Sequence, residues 1–138
     1  MIAATISLVL ALQLADLPAA VRTTVEATLN GGRITHIRKE KEDGVEQYEI
    51  ETVLNGKARG FNVDTKGTLL VIEEEAAIDA IPAAAKTLIL NVVADGTLRR
   101  IEALTRPGQP TMYEAAYTDR KGKKHEVLVA SDGTHAKD

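Results

Sequence analysis

The chain has 138 residues, enough for one ordinary domain or two very small ones. Apolar residues make up 44% and charged residues 27%, the balance of a soluble globular chain, which excludes wholesale disorder. There is no Cys, which excludes disulfides, thiol catalysis and thiolate zinc sites, and the formal charge of −3 gives no general attraction to nucleic acid.

Residues 1–15 carry no charge and are mostly apolar. The run is too short to span a bilayer as a helix. It resembles the apolar region of a secretory signal, with Val9-Leu10-Ala11 as a cleavage site, although the positively charged start of a signal is missing. The alternative is a buried N-terminal strand or first helical turn.

Asp16 to Asn30 reads as a helix. Asp16 is placed to cap the free amides, and Pro18 suits the first turn. Leu17, Val21, Val25 and Leu29 fall on one stripe, and Gly31-Gly32 stops the helix. Strands follow at Ile34–Lys41, Gln47–Leu54, Ala58–Asp64 and Thr68–Ile72. Asn55-Gly56 between the second and third is a type I′ hairpin signal. Glu73-Glu74-Glu75 reads as a solvated strand end and connector.

The order then repeats. Pro82 to Ala94 is a helix with Ile81, Ala85, Leu88, Ile89, Val92 and Val93 inward, and Asp95-Gly96 ends it. Strands follow at Thr97–Arg106, Met112–Thr118 and Lys123–Ala130. After Ser131-Asp132-Gly133-Thr134 too few residues remain for a fourth strand.

The repetition is visible residue by residue. Leu17-Pro18-Ala19-Ala20-Val21 returns 64 positions later as Ile81-Pro82-Ala83-Ala84-Ala85. Gly32 and Ile37 return as Gly96 and Ile101, Tyr48-Glu49 as Tyr113-Glu114, Gly56-Lys57 as Gly122-Lys123, and Gly67-Thr68 as Gly133-Thr134. An internal repeat of this length organises the fold. The expected class is α+β: two tandem units, each a helix plus an antiparallel β-meander, with the helices packed on one face of the sheet. The units span residues 17–75 and 81–134, the second without a fourth strand, and they pack into one body.

Residues 17–80 hold eight Lys/Arg against twelve Asp/Glu, net −4; residues 81–138 hold nine against seven, net +2. This reads as drift between two solvated surfaces rather than a functional dipole.

Gly44 to Glu51, then Gly56-Lys57, then Phe61 to Leu70 resemble the PepSY motif: a Tyr-Glu-apolar-Glu strand, a Gly-Lys turn, and a strand ending in Val-Asp before a Gly turn. Tyr113-Glu114-Ala115, Gly122-Lys123 and Val129 to Gly133 match more loosely. The tandem arrangement is similar to the PepSY-like proteins grouped with β-lactamase inhibitory protein. The resemblance implies an exported or membrane-attached domain, periplasmic or secreted, that binds or restrains other proteins, often peptidases. It carries over no catalytic residue. The lactamase inhibitor binds through an aromatic-rich concave face and carries disulfides, whereas this chain has no Trp, one Phe and no Cys.

Chemical constellations are otherwise sparse. His36, His125 and His135 form no metal-ligand pair. Glu49 and Glu51 share a strand face, but no nucleophile or Gly-rich loop accompanies them. No enzyme activity, cofactor or metal is expected. The expected function is a non-catalytic protein-binding module, an inhibitor or regulator of an envelope enzyme such as a peptidase. The alternative is a small-ligand binder with a cavity between helix and sheet. The expected partner is a protein, with no nucleic acid and no stable membrane span, and the chain is a monomer or weak dimer.

Strand alternation places the working surface on the sheet face away from the helices. Ile37, Tyr48, Ile50, Phe61 and Val63 face the first helix, so Arg38, Glu49, Glu51 and Asn62 point away. In the second unit Ile101, Tyr113, Ala115, Tyr117, Val127 and Val129 face inward. Arg100, Glu102, Leu104, Glu114, Glu126 and Leu128 then face out. One side of an antiparallel sheet is commonly just solvated, and that is the alternative to a partner site.

Overall fold

A computed structural model describes residues 11–136. The expected cleavage at residues 9–11 falls largely outside them. Each half consists of one helix and a meander. Helix α1 (Ala19–Leu29) precedes β1 (Arg33–Glu42), β2 (Val45–Leu54), β3 (Lys57–Asp64) and β4 (Leu69–Glu75). Helix α2 (Ala83–Val93) precedes β5 (Thr97–Thr105), β6 (Met112–Thr118) and β7 (Lys124–Ala130). All seven strands form one antiparallel sheet in sequence order.

The helices start where proline dictates. Pro18 and Pro82 each occupy the N-cap position, so α1 and α2 begin one residue later. Asp16 does not cap α1, contrary to the sequence expectation. It lies in a short 3-10 turn, Leu14–Asp16, and accepts a hydrogen bond from the Gln13 amide at 2.9 Å. Leu12 and Leu14 from this segment pack against the first core. The Asp43-Gly44 and Asn55-Gly56 turns have both residues at positive φ, as type I′ hairpins require.

The core forms two clusters on one side of the sheet. Leu17, Val21 and Val25 pack on Ile37, Tyr48, Ile50, Phe61 and Val63. Ile81, Ala85, Ile89 and Val93 pack on Ile101, Ala115 and Val129. Register shows that both helices share a face. Ile72 of the first cluster's border pairs with Thr105, which alternates with Ala103 and Ile101 along β5.

The Glu73-Glu74-Glu75 run corrects the sequence reading. It is the end of β4, as expected, but no connector: Glu73, Glu74 and Glu75 pair with Leu104, Ala103 and Glu102 of β5. That pairing joins the two meanders into one sheet. Its partner strand lies across a helix in sequence, which is why local pattern did not reveal it.

Arg59 secures α1 to the sheet. It is nearly buried on the helix side, and its Nη1 donates to the Thr28 carbonyl at 2.8 Å while Nε donates to Glu74 at 2.8 Å. No basic residue occupies the last turn of α1, so Arg59 supplies the positive charge that a helix C-terminus favours.

Candidate functional site

The face opposite the helices is built from rows of residues paired across the strands. Arg38, Glu49, Asn62 and Val71 form one row across β1–β4. The next runs through His36, Glu51, Gly60, Glu73, Leu104, Met112 and Ala130. Glu75, Glu102, Glu114 and Leu128 follow, then Arg100, Ala116 and Glu126. All ten residues expected on this surface therefore lie on it, four from the first unit and six from the second.

They differ in accessibility. Arg38, Glu51, Arg100 and Glu126 are exposed, while Glu49, Glu102, Glu114 and Leu128 are partly buried. Asn62 and Leu104 are buried, at 7% and 5% exposure, although they lie on the face opposite α1 and α2. Gln47 and Val71 on the same face are equally enclosed, at 4% and 9%. Long neighbouring side chains enclose them. Gln47 donates to Glu40 at 3.1 Å and to Glu42 at 2.7 Å. Arg106 joins Gln47, Asn62, Val71 and Glu73 around a shared depression, and its Nη1 is buried without a hydrogen-bond partner among the described residues.

Ion pairs organise part of the surface. Arg38 binds Glu49 through both Nε and Nη2 and lies 3.8 Å from Glu40. Arg100 pairs with Glu102 at 3.3 Å. Half-exposed pairs like these orient side chains more than they stabilise the fold.

Where the units meet, Gly60 leaves a depression of about 320 Å³ edged by Glu49, Glu51, Glu73, Glu102 and Arg100. Glu73 is its distinctive group. Burial, and then repulsion from Glu102, Glu114, Glu49 and Glu42, pushes the Glu73 carboxyl up to about 7. Glu73 is not among the residues expected here, because three consecutive glutamates give no alternation signal and read as a solvated strand end and connector.

Beyond this acidic band, the far end of β5–β7 carries an open groove of about 850 Å³. Arg99, Arg100, Thr118, Lys124 and Glu126 line it, and Ala116 contributes a small side chain. Tyr117 and His125 stack beside it with ring centroids 5.1 Å apart, and His125 Nε2 lies 2.8 Å from Asp119 Oδ2. That contact comes first among those holding the Asp119 carboxyl below its ordinary value.

Among the described residues no group of three or more His, Asp or Glu side chains is placed to hold a metal. None of their helices is long and apolar enough to cross a membrane. These depressions, and one of about 330 Å³ beside Leu12, Leu14, Ile34 and His36, are lined by strands, turns and the N-terminal segment.

No family model and no curated protein matches the chain. Solved structures do. A DUF2874 family protein from Bacteroides uniformis superposes with a TM-score of 0.73 at 12% identity, covering 87% of this chain and 86% of its own. A protein from Bacteroides eggerthii, provisionally assigned to the periplasm, gives 0.72 at 14% identity over 88% and 86%. A BLIP-like protein from Bacteroides fragilis gives 0.66 at 20% identity over 88% and 84%. The fold is that of the BLIP-like and DUF2874 proteins. This agrees with the PepSY-like, BLIP-like resemblance read from the turn and strand motifs, and at these identities it is a likeness of fold.

Proposed function

We propose that this chain is a non-catalytic, exported protein-binding module whose uncovered sheet face is the working surface. The reading rests on one observation above all: both helices lie on one side, so a charged, partly enclosed surface crossing all seven strands is left uncovered. The BLIP-like and periplasmic descriptions of the structural neighbours support binding and export as the class of function. An inhibitor or regulator of an envelope enzyme, such as a peptidase, fits both. A mixed-charge face of this kind steers encounter and selects partners more than it sets affinity.

The test begins with pull-down from the native envelope fraction and mass spectrometry, to name a partner. Association is then measured for Arg100→Glu with Glu114→Arg. Slower association with an unchanged circular dichroism spectrum is the expected result. Unchanged binding of that variant, with Leu128→Asn added, moves the interface elsewhere. Leu104 is left intact because its burial makes a polar replacement a test of folding.

A further inference from the structure

The two units are built alike, so positions that differ in chemistry at equivalent points of the repeat are informative. One corner of the open face differs sharply. A β-bulge interrupts β1 between Ile34 and His36, and another interrupts β5 between Leu98 and Arg100. The bulged residue is Thr35 in the first unit and Arg99 in the second, 64 positions apart. Bulges re-aim a side chain while leaving the strand paired on either side. The neighbouring pair is Val53 opposite Ala58 in the first unit and Thr118 opposite Lys124 in the second. Glu51 of the first unit corresponds to Ala116 of the second.

The first unit therefore forms this corner from Thr35, Val53 and Ala58, and the fold itself has no need of cations there. The second unit places two cations on it. Arg99 Nε donates to the Thr118 hydroxyl at 2.9 Å, which holds the guanidinium and leaves its two terminal amino groups available. Among the described residues, neither Arg99 nor Lys124 forms an ion pair with a carboxylate. Both border the groove of about 850 Å³, and Ala116 leaves its floor low.

We propose that this corner is an anion-recognition subsite that takes a carboxylate side chain of a protein partner. The inference rests on the reading of the open face as a binding surface and names the chemistry of one contact. Arg99 presents the planar fork that matches a carboxylate, and Lys124 adds a point charge. A protein carboxylate suits the site better than a polyanion. Glu126 lines the same groove, and Glu102 and Glu114 lie two rows from the Thr118–Lys124 pair along the strands, about 13 Å. A phosphate chain or nucleic acid would meet that acidic row, whereas a partner with an acidic side chain followed by a basic one would match both rows.

The test is a ¹⁵N-amide titration of the intact chain with a blocked Gly-Glu-Gly-Glu-Gly peptide, its Gln counterpart, and inorganic phosphate. The acidic peptide should shift the amides of Arg99, Thr118 and Lys124 and leave those of Thr35 and Ala58 in place, and the Gln peptide should not. Arg99→Gln with Lys124→Gln should weaken peptide binding at least tenfold in a chain with an otherwise native spectrum. Equal response to the Gln peptide, equal shifts at Thr35 and Ala58, or response to phosphate alone overturns the proposal. If an identified partner loses affinity on Arg100 and Glu114 reversal yet binds the Gln variant normally, the open-face reading survives and this subsite fails. If the peptide shifts are as expected and no open-face change affects a partner, the subsite stands and the broader reading fails.

Discussion

A Cβ added to Gly67 would come 2.7 Å from the carbonyl oxygen of Ala20, and the second unit repeats the relationship between Gly133 and Ala84 at the same distance. Both glycines have positive φ, +90° and +81°. Each meander thus returns a turn directly onto the first turn of its own helix. Thr24 adds a side-chain hydrogen bond to the Gly67 carbonyl in the first unit.

Gly67→Ala and Gly133→Ala should therefore each destabilise strongly. Left-handed backbone costs an ordinary residue about 1–2 kcal/mol, and separating turn from helix adds to it, for a total of roughly 2–4 kcal/mol. Gly44→Ala is the control, because a Cβ there meets nothing within 4 Å and only the backbone cost applies. Urea unfolding midpoints should rank the three accordingly.

Arg59→Met keeps an apolar stem and removes the guanidinium, whose central carbon lies 5.5 Å from the Phe61 ring centroid. The Thr28 carbonyl then loses its donor at the end of α1. A loss of about 1–3 kcal/mol is expected, the range for an unsatisfied, partly buried polar group. Glu74→Gln should cost less, since its side chain is half exposed. Amide hydrogen exchange should locate the Arg59→Met effect in the last turn of α1.

Glu73 makes stability fall as the solution becomes more alkaline. Its ordinary value is 4.5 and its folded value is about 7. Below 4.5 the group is protonated in both states and contributes no penalty. Between 4.5 and 7 the unfolded chain releases the proton while the folded one retains it, so stability declines, and above 7 the loss is complete. The difference corresponds to about 3 kcal/mol, and solvent screening at this half-open site reduces it to roughly 1–2 kcal/mol. Glu73→Gln should be more stable than the parent at pH 8 and nearly equal to it at pH 4. An unchanged pH profile in the variant would assign the titration elsewhere.

Leu104 and Leu128 share the open face but should respond differently to polar replacement. Leu104 is buried and Leu128 only partly so. Leu104→Asn should cost about 2–4 kcal/mol, whereas Leu128→Asn should stay under about 1 kcal/mol. Thermal melts of the two variants check this directly.

The contrast between these two leucines marks what the sequence could convey. Alternation assigned Leu104 correctly to the open face, because the side-chain period along a strand is local. Its burial depends on residues such as Glu73 opposite it on β4, a strand separated by a whole helix. Helix stripes through Val21 and Val25, the repeat itself and the Asn55-Gly56 turn were equally legible, since each is written within a few residues. Three consecutive glutamates give no alternation signal, so the extension of β4 and the half-buried Glu73 were hidden. Arg59 carries no local signal, since its role as the donor to α1 depends on a residue 31 positions earlier. The basic corner became visible only once Arg99 and Thr35 were known to be equivalent bulges.

The strand order has a consequence for how quickly this molecule can form. Among the described residues every strand pairs only with its neighbours in sequence, including β4 with β5 across α2. No pairing waits for a distant segment, so the loops to be closed are short and their entropic cost is small. Folding speed follows the mean sequence separation of contacts, and this arrangement belongs at the fast end of sheet proteins. The meander can lengthen one strand at a time, each addition satisfying the open edge of the strand before it.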